Sequence, residues 1–424
     1  MRYFKLLLLL FCMIISNKAL GYNFEVDGIT YDYSSDYANA VRVVGLKQNI
    51  VINSSGIIEY TSMPPQYIVE VNIPEKVSVD SKTYDVVEIS YAAFDGMSKI
   101  KRIFIPNTIK YIGEFAFRHC SSLVDINIPD SITTIGRSMF EGCSSLTHID
   151  IPNSVKSIAA DAFKNCGLES ISIPENVIRL GEEVFLSCVN LTKAQLLCPI
   201  KNLPNGTFNY CKKLESVEFP SSVEAIGEYC FSECKSLKSF IFPSTVKDIG
   251  DGAFSFSGIE DIDIPMTIIS LGKSSFYGCD NLKSVSIDNP SLRFGAFAFK
   301  DCDKLERANI NTSYIPDRAF EDCINLTEVK LSETVEYIIS EAFRNCHSLD
   351  SLIIPESVVE IGSYAFRNCK SLAIIYFPET YLKIGKSVFM GCTSLKRVEV
   401  PKTIEVEYNS FDANVKVKRT KVTK

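Results

Sequence analysis

Apolar and polar positions along this chain follow one recurring pattern. From Leu123, apolar side chains return at Ile126, Ile128, Ile132, Ile135 and Phe140, with Pro129, Gly136 and Cys143 at fixed places, and the series restarts at Leu146. The Phe recurs at 94, 117, 140, 163, 185, 208, 231, 254, 276, 299, 320, 343, 366, 389 and 411, at intervals of 21, 22 or 23 residues. A single supersecondary unit is therefore used about fourteen times. Leu followed by apolar residues at +3 and +5 predicts a short strand with one buried face. Pro stands at Leu+6 in ten of the fourteen units, where its missing N–H ends the strand and turns the chain. The Gly four residues before Phe, as in Gly113, Gly227 and Gly362, predicts a tight bend. The A-F-x-x-C stretch predicts one short helical turn. A lone unit leaves its apolar face open, so the units must stack. The expected fold is an α/β solenoid over residues 71–411, with short strands paired in parallel and a short helical turn in each unit.

The flanks depart from this period. Residues 22–70 hold alternating segments, Tyr22–Val26 and Val41–Val44, which predict strands of an N-terminal β cap over the first open edge. Between Pro74 and Phe94 the unit is stretched, which predicts a loop projecting near Ser78–Tyr84. The unit Leu191–Phe208 loses its Pro column and gains Cys198, Pro199 and Pro204, and Leu305–Phe320 is shortened and carries Pro316. Residues 412–424 form a basic tail with Lys416, Lys418, Arg419, Lys421 and Lys424, expected as a final strand with a solvated end.

Composition narrows the function classes. Arg2 and Lys5, the apolar run Leu6–Ile15 and the small-residue pattern Ala19-Leu20-Gly21 read as a signal peptide over 1–21, with cleavage near Gly21. No later stretch has transmembrane length. The net charge is −7, and an acidic surface argues against nucleic acid as a partner, because phosphate binding needs clustered Lys and Arg. Fifteen Cys in an exported chain would first suggest disulfides, but twelve stand three residues after the repeat Phe. Ser257 and Met97 replace Cys in that column, so the column reads as a ladder of small buried thiols. There is no CxxC pair and the three His are scattered, so no metal site or cofactor is expected.

The columns I-P-x-S-V-x-x-I-G-x-x-A-F-x-x-C-x-S-L, carried over about residues 70–411, resemble the BspA-like leucine-rich-repeat family of bacterial surface proteins. The segment Tyr22–Ile29 is similar to the start of the mature chain in such proteins. The resemblance implies a right-handed solenoid, a secreted or cell-surface location, and a part in adhesion or host-protein binding.

In each strand the residues at Leu+2 and Leu+4 face outward, so these two columns are where a ligand would be met. The middle of the array is rich in Ser there. Near the C-terminus Ile353, Ile374 and Tyr376 gather on a face that should be wet, beside Arg397 and Glu399. Apolar groups collected on a solvent face mark interaction sites, with Tyr and Arg as anchors. The five are the candidate contacts for a protein ligand on a host or neighbouring cell. A carbohydrate-binding role in the envelope is the alternative, and exposed aromatics in line would favour it; Tyr376 and Phe104 are too far apart for that. The acids Asp125, Asp150, Asp261 and Asp263 share the face without a calcium-loop motif, and read as solvated. His148 stands beside Asp150 and Asp125 with no nucleophile. With no G-x-S-x-G, H-E-x-x-H or Gly-rich phosphate loop, the chain does not read as an enzyme.

Overall fold

The computed structural model describes residues 24–26, 29–34, 40–46, 50–52, 58–60 and 69–421. The expected leader at 1–21 and parts of the 22–70 segment lie outside these. The chain divides between Cys198 and Pro199 into two compact units, within the irregular repeat Leu191–Phe208.

Both units are stacks of coils, and neighbouring coils meet along one or both of two parallel ladders. One ladder is the predicted L-x-x-I-x-I strand: Asp125–Ile126 pairs in parallel with Arg102–Phe104, and Ser170–Ile173 with Lys193–Leu196. In the second unit Asp261–Ile264, Ser284–Asp288, Arg307–Asn311 and Glu328–Leu331 pair in order. The second ladder was not anticipated. It uses the two residues before the Gly column: Thr134–Ile135, Ser157–Ile158 and Arg179–Leu180 in the first unit. In the second unit Tyr314–Ile315, Tyr337–Ile338, Glu360–Ile361, Leu382–Ile384 and Ile404–Val406 do the same. The Pro column ends the first strand as expected. Its carbonyl accepts from the N–H three residues on, as in Ile132 N to Pro129 O at 3.0 Å, which closes a turn.

The third side of each coil corrects the expected helical turn, since no helix occurs among the described residues. Residues two before and two after the repeat Phe hold positive φ, for example Phe115 (60°) and His119 (58°) around Phe117. Left-handed residues at this spacing cannot continue a right-handed helix. The backbone donors then alternate. Phe115, Phe117 and His119 donate to Arg137, Met139 and Glu141 of the next coil at 3.0, 3.0 and 2.6 Å. Arg118 and Cys120 donate back to Phe115 and Phe117 at 3.1 and 3.2 Å. The segment thus satisfies its N–H groups partly within the turn and partly across the stack, which leaves no i→i−4 ladder to form.

The Gly column is also corrected. Gly113 and Gly362 lie outside the left-handed region, so they make no special bend. A Cβ on Gly113 would sit 2.4 Å from the Tyr91 backbone nitrogen, and one on Gly362 2.6 Å from that of Ser340. Glycine is there because the preceding coil's backbone passes against it.

The core is built from the Phe, Leu, Cys and Ile/Val columns, which are buried. Phe94, Phe117, Phe140, Phe163 and Phe185 stack at centroid separations of 5.4–5.7 Å in the first unit. From Phe208 to Phe411 the second unit continues the same way, as in Phe320–Phe343 at 5.2 Å and 2°. Rings this close and this parallel are held by the rung spacing of the ladders, about 4.8 Å.

At the N-terminal side Phe24–Val26, Ile29–Tyr33 and Ala40–Leu46 pair antiparallel. Ala40–Leu46 then pairs in parallel with Lys82–Ile89, which pairs in parallel with Tyr111–Ile112. The stretched unit is a hairpin and not a loop: Lys76–Val79 runs antiparallel to Lys82–Ile89. Asp80 and Ser81 close it, both at positive φ (51° and 65°), the backbone form a two-residue hairpin turn needs.

At the C-terminal side Lys416–Thr420 is a strand, parallel to Arg397–Pro401. Arg419 is the cross-strand partner of the buried Val400 and is itself exposed. Its guanidinium donates to the carbonyls of Ile404 (2.8 Å) and Pro401 (3.3 Å).

Candidate interaction surface

The five residues expected on the strand face lie in the second unit. Ser351–Ile353 and Ile374–Tyr376 are parallel partners in the register Ser351↔Ile374, Leu352↔Ile375 and Ile353↔Tyr376. Leu352 and Ile375 point into the core, so strand alternation turns the other residues outward. Ile353 is 66 % exposed, Tyr376 59 % and Ile374 49 %. The C-terminal strand does not cover them: it adds in the sheet beyond Arg397–Pro401.

Arg397 and Glu399 stand on the strand after Tyr376, and the two strands lie side by side. The structure gives these two residues different circumstances. Glu399 is held by Lys418 at 2.7 Å, and that hydrogen bond, with the charges of Lys418 and Arg397, keeps its carboxyl below the usual range. Arg397 has Lys416 as its cross-strand partner.

Ile241 and Phe104 also sit exposed at Leu+4, each apart from this group. The column neighbours of Ile241 are Glu218 and Asp263, so it joins no apolar patch.

Of the polar sets weighed from sequence, His148 and Asp150 do meet, with Nε2 to Oδ1 at 3.1 Å. They line a hollow of about 390 Å³ on the strand face of the first unit, with Ser170, Ser172, Lys193 and Gln195. The four acids separate: Asp125 and Asp150 belong to the first unit, Asp261 and Asp263 to the second. Asp261 accepts from Ser284 at 2.6 Å. Among the described residues no group of three or more His, Cys, Asp and Glu is disposed to hold a metal ion.

The fourteen described Cys are free of disulfides, and all are buried. Sγ of a ladder Cys donates to the carbonyl of a repeat Phe in the preceding coil, as in Cys120 to Phe94 at 3.1 Å and Cys369 to Phe343 at 3.3 Å. Burial pushes Cys188, Cys230 and Cys392 up to about 12 and Cys279 up to about 11. A thiol so far from ionising is a poor nucleophile and a poor metal ligand.

A charged cluster on the Phe corner was not found from sequence. Lys300 Nζ lies 2.6 Å from Asp322 and 2.8 Å from the buried Glu321, and Arg318 bridges to Glu341 at 2.9 Å. Asn345 donates to Asp322 at 2.7 Å, and Asn368 donates to Asn345 at 2.9 Å. Asp and Asn at Phe+2 in successive coils were the available signal, because these residues tolerate positive φ. The cluster clamps coil to coil.

A family model described as BspA type Leucine rich repeat region (6 copies) matches residues 68–192, 201–315 and 313–424. The crystal structure of a leucine-rich repeat protein from Bacteroides ovatus ATCC 8483 is 41 % identical, covers 94 % of this chain and 100 % of its own, and superposes with a TM-score of 0.87. A leucine rich cell surface protein from Faecalibacterium prausnitzii A2-165 aligns over 92 % and 97 % at 23 % identity, with a TM-score of 0.43. The pneumococcal vaccine antigen PcpA aligns over 94 % and 93 % at 20 % identity, with a TM-score of 0.41. No curated protein matches.

Proposed function

Because this chain belongs to the BspA-type leucine-rich-repeat family, we propose that it is a secreted or cell-surface binding protein that holds a protein ligand on its exposed strand face. The observation that carries this reading is the cross-strand pair Ile353 and Tyr376, both more than half exposed, with Ile374 beside them. Burying these three side chains against a partner removes apolar area from water, and the flat Tyr ring loses little entropy in doing so. Arg397 and Glu399 form the polar rim. The leader-like N-terminus supports export, and no described helix is long and apolar enough to cross a membrane.

The test is binding of the purified chain to a panel of host matrix proteins, run beside a glycan array. The expected result is a protein ligand whose affinity falls at least tenfold on Tyr376→Ala with Ile374→Ala. Unchanged binding by that variant would refute the reading.

A carbohydrate ligand is the second reading. It rests on the hollow in the first unit, where His148, Asp150, Ser170, Ser172 and Gln195 offer donors and acceptors for hydroxyl groups. Glycan binding abolished by Asp150→Ala, and untouched by Tyr376→Ala, would favour it.

A further inference from the structure

Two columns of side chains run across the C-terminal end of the strand face. Ladder pairing sets Ser351 opposite Ile374 and Ile353 opposite Tyr376, and Arg397 opposite Lys416 and Glu399 opposite Lys418. The shared repeat positions Leu+2 and Leu+4 carry the columns on from Ile374 to Arg397 and from Tyr376 to Glu399 across the neighbouring strands. In the second column the last rung is neutralised, since Lys418 lies 2.7 Å from Glu399. In the first column Arg397 and Lys416 are direct cross-strand partners, both exposed. No described acid lies within ion-pair distance of either. Like charges directly opposite on a ladder repel, and this chain is otherwise acidic, with a net charge of −7. Arg397 also acts on Glu399 through its charge, so Arg397, Lys416 and Lys418 set three cations against the one acid Glu399, and this end of the face stays net positive near the exposed Ile374 and Tyr376.

We propose, resting on the reading of that face as the partner site, that its ligand is an extended acidic segment of a partner protein. One apolar side chain of the segment packs on Ile374 and Tyr376, and a carboxylate lies over Arg397 and Lys416. Arg accepts a carboxylate through two parallel N–H bonds, which suits this end of the column. Strands stand about 4.8 Å apart, so Lys416 lies about 10 Å from Ile374. An extended chain rises about 3.3 Å per residue, so the acid and the apolar anchor stand about three residues apart. A second copy of the same strand is a poor occupant, because Lys416 and Lys418 would face their own charge, a common device against edge-to-edge association.

The test uses the full chain and a displayed library of random eight-residue peptides selected at low salt. Selected peptides are measured by fluorescence anisotropy against the parent, against Arg397→Glu with Lys416→Glu, and against Tyr376→Ala with Ile374→Ala. Circular dichroism checks that the variants fold. The expected result is enrichment of Asp or Glu about three residues from a large apolar residue. Affinity should fall at least tenfold on charge reversal and return when the peptide's acid is replaced by Lys. Binding that falls with Tyr376→Ala and Ile374→Ala, yet ignores charge reversal, overturns the acidic ligand and leaves the face reading standing. Binding that neither variant moves overturns both. Co-sedimentation with phosphatidylcholine–phosphatidylglycerol vesicles that charge reversal abolishes, without acid enrichment in the library, assigns the cations to lipid and overturns the proposal. So does a concentration-dependent dimer abolished by Tyr376→Ala.

Discussion

The thiol of Cys143 donates to the carbonyl oxygen of Phe117, 3.2 Å away and one coil earlier. That carbonyl already accepts from the Cys120 N–H at 3.2 Å, so the thiol fills its remaining lone pair. The interior of the turn is closed to water, and a small side chain with a weak donor satisfies the oxygen where Ala would leave it half-paired. Ser257, which replaces Cys in this column, keeps a hydroxyl there and lies 3.4 Å from the Cys279 sulfur. The thiol is thus selected for size and hydrogen bonding. In the folded chain it should resist a bulky disulfide reagent until denaturant is added.

The buried thiols, those of the ladder and Cys230, should make the fold sensitive to alkali. In the unfolded chain the thiols ionise near their ordinary value of 9, while in the folded chain burial delays Cys279 to about 11 and Cys188, Cys230 and Cys392 to about 12. Above the unfolded value the unfolded state holds fewer protons, so stability is complete below about pH 9 and falls as pH rises toward 12. Urea midpoints measured from pH 8 to 11 should drop, and a variant with Cys188, Cys230 and Cys279 changed to Ser should drop less.

The acid side has the opposite sign. Burial pushes the Asp322 carboxyl up, but hydrogen bonds from Lys300 and Asn345 outweigh it and hold it below the usual range. Burial likewise raises Glu341, and Arg318 and Arg344 bring it lower still. Stability from these groups is present above the unfolded carboxylate values and lost as pH falls through the folded ones. Glu341→Gln should flatten the acid limb of a stability–pH curve, and an unchanged limb would show that the cluster contributes nothing.

The Phe stack should respond by position. Phe343 is fully buried between Phe320 and Phe366, each 5.2 Å away. Phe343→Ala should cost about 3–5 kcal/mol in urea unfolding. Among the described residues Phe411 has a ring neighbour on one side, Phe389, and it is part-exposed, so Phe411→Ala should cost less. Equal costs would contradict a stack whose energy comes from burial.

Two glycines should separate close approach from backbone freedom. A Cβ on Gly272 would lie 2.5 Å from the Gly250 carbonyl carbon, so Gly272→Ala must push two coils apart, at a cost of about 1–3 kcal/mol. Gly96 has open space around it and φ of 73°, so Gly96→Ala meets only left-handed strain and Gly96→Asn should relieve part of it. Thermal melts of the three variants check the order.

Arg419 should matter more than a solvated tail residue. Arg419→Gln removes the guanidinium that reaches the carbonyls of Pro401 and Ile404. Amide exchange should quicken across Lys416–Thr420, while Lys421→Gln leaves it unchanged.

The repeat was legible because its columns are chemically narrow: Phe, Leu, Cys and Pro each serve one packing role in every coil. The second ladder was not, because two residues such as Thr134–Ile135 are too short to display alternation. The left-handed positions were hidden for another reason. Phe115, Ser138, Asp161, Tyr229 and Arg318 share a backbone conformation but no side-chain chemistry, since their N–H groups and not their side chains make the contact. On the candidate face, alternation alone turned Ile353, Ile374 and Tyr376 outward, and the fold agrees.

By itself the sequence determined a stack of coils with a Phe, Leu and Cys interior, because a side chain must be buried in every coil to recur at every period. Only the tertiary structure decided which donors bridge coils, why Gly113 cannot be larger, and that Arg419 reaches back to the carbonyls of Pro401 and Ile404. It also decided that Arg397 faces Lys416 while Glu399 is taken by Lys418. Those outcomes depend on which residues fall opposite one another across strands about twenty residues apart, a register set by backbone pairing and not by composition.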